Sequence, residues 1–350
     1  MDRGKITEIN VDSIKKWNKT VRSFADYDVF YLNEYVHAFQ KENAANGEPI
    51  LIYYEKGTER AINVIFKRDI ADDPKFYGKI KHRRYFDLIT PYGYGGFWGN
   101  ITDWDSLNAS YSQYCAENMF ICEFVRFELF SEYAQYYPGH VESRTHNVVR
   151  KLDIPLEDIW MDFKPKVRKN VKKANSYGLK FIVDYEAKYL DDFLKIYYST
   201  MDRTEAHDEF YFSRDFFIRL NKLNKNAVYF YVVHNGKIIS AELVIYGSKN
   251  AYSYLGGTDR EYFDLRPNDF LKYEIIKWCK EKGLENFVLG GGYGADDGIF
   301  QYKQCLAPHG IVDFYIGRRV FDSDSYNSLV EMRRQADGIQ NNIFFPTYRE

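Results

Sequence analysis

At 350 residues the chain is long enough for two domains of ordinary size, and 45% hydrophobic residues supply their cores and exclude a disordered protein. A net charge of −2 with a pI near 6.4 excludes a global field that would draw the protein to DNA or anionic lipid, so any polyanion must be met by local charge. No window approaches the roughly 20 apolar residues of a membrane span, and MDRGKITEINVDSIKKW holds no apolar run of signal-peptide length, which predicts a cytoplasmic protein.

In chain order, helical spacing marks residues 14–17 and 33–42. A hairpin follows, with strands at 50–54 and 61–66 around the turn Glu55-Lys56-Gly57. A strand at 85–89 leads into a glycine-aromatic loop, TPYGYGGFWGN, then a helix over 104–118 and a strand over 121–130. The order then repeats. Helical stretches at 165–176 and 189–201 precede a second hairpin, 228–233 and 238–246, around His234-Asn235-Gly236. A strand at 251–255, the loop GGTDREYFDLRP, a helix over 269–282 and a strand at 287–289 complete it. That helix carries Phe270, Leu271, Ile275, Trp278 and Cys279 at helical spacing and stops at Gly283. The repetition predicts a mixed α/β protein made of a duplicated domain, residues 1–152 and 153–350, with the boundary in 152–164.

Within the second half, two parallel strands joined by a helix leave a crevice at their carboxyl ends, where open α/β sheets bind ligands. The run Gly290-Gly291-Gly292-Tyr293-Gly294 breaks the last strand there, and GIFQYK brings up Lys303. Neither the seven histidines nor Cys115, Cys122, Cys279 and Cys305 show metal-ligand or disulfide spacing, so no metal site is expected and the cysteines are read as free thiols.

The segment LRPNDFLKYEIIKWCKEKGLENFVLGGGYGADDGIFQYKQCLAP resembles the carboxy-terminal signature of the FemAB-like aminoacyl and acyl transferases. There a Pro-Asn opens the helix and a Gly-Ile/Val-x-x-aromatic-Lys follows the last strand. VRKNVKKANSYGLKF and TPYGYGGFWG are similar to that family's basic helix and first-domain glycine-rich loop. Two departures stand out: the stretch between Phe217 and Val228 is too short for a long helical arm, and Tyr302 stands where phenylalanine is usual. The resemblance implies two tandem GNAT-like domains, the N-acyltransferase fold. It also implies transfer of an activated aminoacyl or acyl group to an amine of a peptidoglycan or polysaccharide precursor. Aminoacyl-tRNA is the implied donor, a sugar-nucleotide or lipid-linked precursor the implied acceptor, and no tightly bound cofactor is implied. A lipid-linked acceptor would bring the protein to the membrane face.

Aminolysis of an ester or thioester needs a neutral amine, a charge for the tetrahedral oxyanion and a dry site. By resemblance Lys303 supplies the charge. Asp296 and Asp297 are carboxylates near enough in sequence to take the amine's proton. Six of the ten residues 164–173 are basic, an excess able to bind phosphates, and with Val167, Val171 and Ala174 buried, Arg168 and Lys172 would share one flank; the resemblance implies that Arg168 or Lys172 contacts the diphosphate of the acceptor. Arg203 and Tyr211 sit in a segment similar to the family's acceptor-side loop. Strand alternation places Tyr252 and Tyr254 on one face, beside Tyr302, while Tyr92 and Tyr94 flank glycines of the first-half loop. An acyl-CoA or acyl-carrier-protein dependent N-acyltransferase acting on an amino sugar is the alternative. Against it, no glycine lies between Thr258 and Asn268, where a pyrophosphate-cradling loop would sit. A non-catalytic ligand-binding relative is the third reading.

Overall fold

A computed structural model describes residues 4–43, 46–292, 297–337 and 344–350. The chain folds into two compact units. The first is Met1–Phe24, Phe30–Arg144 and Phe314–Glu350; the second is Ala25–Val29 and Thr145–Asp313.

The first unit contains β1 (Lys5–Asn10), α1 (Ile14–Val21), α2 (Asn33–Glu42), β2 (Glu48–Lys56), β3 (Glu59–Asp69), β4 (Phe86–Ile89), β5 (Trp98–Asn100), α3 (Trp104–Glu117), β6 (Phe120–Arg126) and α4 (Tyr133–Tyr136). β1 to β4 are antiparallel neighbours, and β4 lies parallel to β6. The hydrophobic runs of β2 and β3 pack under α3, whose Leu107, Tyr111 and Cys115 recur at helical spacing and are fully buried.

β7 (His140–Lys151), α5 (Leu156–Asp162), α6 (Pro165–Ser176), β8 (Lys180–Asp184), α7 (Leu190–Arg203), α8 (Arg214–Leu220), β9 (Ala227–His234), β10 (Lys237–Tyr246), β11 (Asn250–Thr258), α9 (Pro267–Glu281), β12 (Asn286–Gly290) and α10 (Gly298–Leu306) follow. In the second unit the sheet order is β8-β9-β10-β11-β12-β7. Every pairing is antiparallel except β11 with β12, the strands that α9 connects. The apolar positions of α9 named from sequence are buried against β9 and β10.

Where the sequence groups residues 153–350, the structure places Phe314–Glu350 with the first unit. The reason is pairing and charge. The later part of β13 (Ile311–Val320) runs antiparallel to β6, from Ile316↔Arg126 to Val320↔Cys122. Beyond α11 (Ser323–Asp337), Arg349 places its Nε 2.5 Å from Asp87 of β4. Asp87 is fully buried and also receives Arg68 at 2.6 Å and the Tyr348 hydroxyl at 2.9 Å. Burial alone would push its carboxyl up, but Arg68 and Arg349 outweigh it and hold the group below the usual carboxylate range.

Both hairpins, the parallel pair of the second unit and both connecting helices match the sequence reading, with ends shifted by a few residues. β1, β7 and β13 were not read from sequence, because they carry too many polar residues to show an apolar alternation. Among the described residues no helix is long and apolar enough to cross a membrane, and all four cysteines are free, three of them buried.

Candidate active site

β11 and β12 pair only from Asn250↔Asn286 to Tyr252↔Val288. Beyond that point β11 continues to Thr258 on the β10 side alone, so the two strands part. Along this free stretch of β11 lies a cleft of about 730 Å³, walled by Ser253 to Thr258, the first turns of α9, α10, and residues of α6, α7 and β10. It lies at the strand ends joined by a helix, where the sequence pattern places the ligand crevice.

The glycine run ending β12 admits a lysine at the floor of this cleft. Gly290 has φ +84°, a left-handed conformation that side chains disfavour, and a Cβ there would lie 3.3 Å from the Lys303 Nζ. Lys303 does not follow the glycine turn directly, as the sequence reading supposed. It sits one turn from the end of α10, a helix whose amino end is capped by the Asp297 carboxylate accepting from Ile299 N at 2.9 Å. From there the Lys303 ammonium reaches back and donates to Gly291 O at 2.6 Å. Burial pushes its pKa down to about 8, the Lys272 ammonium pushes the same way, and Glu242 and Asp297 oppose.

Beside it lies a pair the sequence reading missed. Glu242 of β10 and Lys272 of α9, 3% and 7% exposed, form an ion pair of 2.6 Å, and the same Lys272 Nζ donates to Ser253 Oγ at 2.6 Å. A charge in the middle of the apolar strand IISAELVIY, and a lysine on the buried side of α9, were the available signals. Asp269, one turn upstream of Lys272, is also buried; its Oδ2 accepts from Asn170 Nδ2 at 3.1 Å. Burial pushes its carboxyl up to about 6, against Asn170, Arg266 and Lys166.

Several expected site residues fall on this cleft. Lys303, Tyr302, Tyr254 and Arg203 all line it, the last with its guanidinium 5.3 Å from the Phe263 ring. Burial pushes the Tyr302 hydroxyl well up, so it stays protonated at neutral pH.

The others are elsewhere. Arg168 donates to the carbonyls of Met161 and Phe163, and Lys172 is exposed away from the cleft lining. α6 does bury Val167, Val171 and Ala174 as expected, but it turns its other flank, Lys166 and Asn170, to the cleft. Tyr252 and Tyr254 do not share a face. β10 pairs Leu243 with Leu255 and Val244 with Ser253, so Tyr254 is an extra residue in a β-bulge. Tyr252 is thus in the core, its hydroxyl donating to Asp28 Oδ2 at 2.8 Å. Tyr211 is exposed and bonded to Asp202 at 3.0 Å. Tyr92 and Tyr94 pack in the first unit, Tyr92 on Phe39 and Tyr94 edge-on to Phe30. Asp297 is occupied as the cap of α10, and Asp296 lies outside the described residues. Among the described residues one group, Asp69, Asp72 and His82, brings three metal-ligating atoms within 4.8 Å of one another; it lies in the first unit, with His82 Nδ1 3.0 Å from Asp72 Oδ1.

Known proteins match this arrangement. Residues 162–304 match the model of the acetyltransferase (GNAT) domain, a span that holds every residue lining the cleft but Cys305. A lipid II:glycine glycyltransferase of Staphylococcus haemolyticus is 23% identical over 90 residues, a match that spans 26% of this chain and 22% of that protein's length. The crystal structure of FemX superposes with a TM-score of 0.66 at 13% identity, covering 93% of this chain and 99% of that one. The C-terminal domain of a proposed lysylphosphatidylglycerol synthetase from Agrobacterium fabrum does so with 0.53 at 12%, covering 95% and 100%. Two units with one strand order and a GNAT domain match around the cleft give the chain a mixed α/β fold of tandem GNAT-like units, a fold it shares with FemX.

Proposed function

We propose that this chain is a transferase that forms an amide by passing an aminoacyl group from a ribose ester to an amine of a cell-envelope precursor. The observation that carries the proposal is the Lys303 ammonium, anchored on Gly291 O in a buried cleft of the GNAT unit. The acceptor nitrogen attacks the ester carbonyl, and the carbonyl oxygen becomes an oxyanion facing Lys303. Collapse of the adduct breaks the ester C–O bond, and the proton lost by nitrogen ends on the departing ribose oxygen. A largely buried ammonium stabilises the oxyanion more than one in open water. Asp269, with its carboxyl pushed up to about 6, is suited to carry the proton between the two atoms near neutral pH.

Polyanionic substrates are supported by Lys166, Arg203 and Arg266 around the same cleft. An aminoacyl-tRNA donor is consistent with these cations and with the glycyltransferase and lysylphosphatidylglycerol synthetase names of the similar proteins. The acceptor we infer is a lipid-linked or nucleotide-linked muropeptide, met by a protein acting in the cytoplasm.

The test is transfer from glycyl-RNA to a UDP-linked or lipid-linked muropeptide, with acetyl-CoA as the competing donor. Amide formation from the RNA donor that is lost in Lys303→Met supports the proposal. Turnover of acetyl-CoA without turnover of the RNA donor overturns it in favour of an ordinary N-acyltransferase.

A further inference from the structure

The buried ion pair at the cleft wall is incompletely used. Lys272 satisfies only Oε2 of Glu242; Oε1 is buried and has no hydrogen-bond partner among the described residues. A carboxylate oxygen left bare in a low-dielectric site is costly, and such atoms are normally paired with protein, water or ligand. This one belongs to a residue that lines the cleft, and Glu242 stands close enough to Lys303 to favour its charged form. Lys303 marks where the reacting carbonyl oxygen sits. Glu242 and Lys303 line the same cleft, and the first polar group beyond the carbonyl of an aminoacyl ester is the α-ammonium, two bonds from the carbonyl carbon.

From this geometry we propose that Glu242 is a specificity residue of the proposed reaction, its Oε1 receiving the α-ammonium of the donor and so selecting aminoacyl over simple acyl groups. The inference rests on the aminoacyl-transfer reading of the same cleft. The mechanism of selection is asymmetric. A donor with an α-ammonium satisfies Oε1, whereas an acetyl group leaves it dry and unpaired. Lys272 has a separate part. Held by Glu242 and Ser253, it occupies Oε2 and fixes the rotamer of the carboxylate, which leaves Oε1 as the acceptor still to be satisfied.

The test compares two RNA acceptor stems that differ only in the amino group, one ending in 3′-glycylamido-3′-deoxyadenosine and one in 3′-acetamido-3′-deoxyadenosine. Binding to the full chain is measured by calorimetry at pH 7. The expected result is a preference of at least about tenfold for the glycyl stem, abolished in Glu242→Gln. The double variant Glu242→Gln with Lys272→Met removes both charges together and keeps the outcome readable if the single variant unfolds. Equal binding of the two stems by the wild type, or a preference that survives in a folded Glu242 variant, overturns the inference while leaving the RNA-borne donor intact. If neither stem binds, the donor reading and this inference fall together.

Discussion

The two units carry the same junction of parallel strands and finish it differently. In the first, β4 and β6 pair from Phe86↔Phe120 to Ile89↔Phe124. The chain then stays zipped, with Thr90 N donating to Phe124 O at 3.1 Å and Gly95 N to Arg126 O at 2.7 Å. The glycine-aromatic loop after β4 fills the junction with rings: Phe97 is fully buried and meets Tyr111 and Tyr133 edge-on. In the second, pairing stops after three residues and β11 bulges at Tyr254. The loop that follows contributes a short 3-10 turn, Arg260–Leu265, rather than a plug. A duplicated fold has thus kept one junction as core and opened the other as a cleft. Charge follows the same division. Asp87, a buried carboxylate of the first unit, is paired by two arginines and a tyrosine away from any cleft, while Glu242 and Asp269, buried in the second, line the cleft.

The largest effect should come from breaking the closed network of the first unit. Asp87→Asn leaves Arg68 without its counter-charge and Arg349 with Asp73 alone, which costs about 3 kcal/mol of stability. Urea denaturation at pH 7 reads this directly; a loss well under that value would mean the network is no more than a surface-like ion pair.

Next comes the open junction. Lys303→Met should lower kcat/KM by about 10²–10³, the usual toll of losing one oxyanion donor, while leaving the melting temperature no lower than that of the wild type. The pH profile of the wild type sharpens the point. Activity rises as Asp269 ionises near pH 6 and falls as Lys303 loses its proton near pH 8, which gives a bell. Lys303→Arg should keep residual activity and lose the alkaline limb, since a guanidinium does not titrate there.

A smaller effect tests the plug. Gly96 has φ +88°, and a Cβ there would lie 3.2 Å from Tyr133 Cδ1 and 3.3 Å from Val125 Cγ1. Gly96→Ala should cost about 1–3 kcal/mol through the backbone alone. Because the plug belongs to the core rather than to the cleft, binding of the glycyl stem should be unaffected at temperatures where the variant remains folded.

Much of this was legible in the sequence. The paired hairpins, the connecting helices and the crevice all follow from periodicity and turn residues, and Lys303 follows from its motif. What escaped were features set by tertiary geometry. A single-residue bulge at Tyr254 breaks the alternation that would put Tyr252 in the cleft. The rotation of α6 decides between Lys166 with Asn170 and Arg168 with Lys172, which flank the same apolar stripe. Glu242 and Lys272 lie 30 residues apart, and only the fold shows that each explains the other's burial.

The smallest effect discriminates best between a functional and a structural lysine. Lys303 has a pKa of about 8 in the folded chain against an ordinary value of 10.5, so the folded state binds its proton less tightly than the unfolded state does. Between those two values the unfolded chain holds more protons, and stability contributed by this group rises as pH climbs from 8 toward 10.5. Below pH 8 the full penalty of a buried ammonium is present. Lys303→Met removes it, so the variant should be more stable than the wild type at pH 7, by about 1–2 kcal/mol, with the gap closing as pH approaches 10. Denaturation at pH 7 and pH 10 measures both. A gain in stability together with the loss of turnover is what a site residue held against the preference of the fold produces, whereas a loss in both would make Lys303 part of the packing that holds α10 to Gly291.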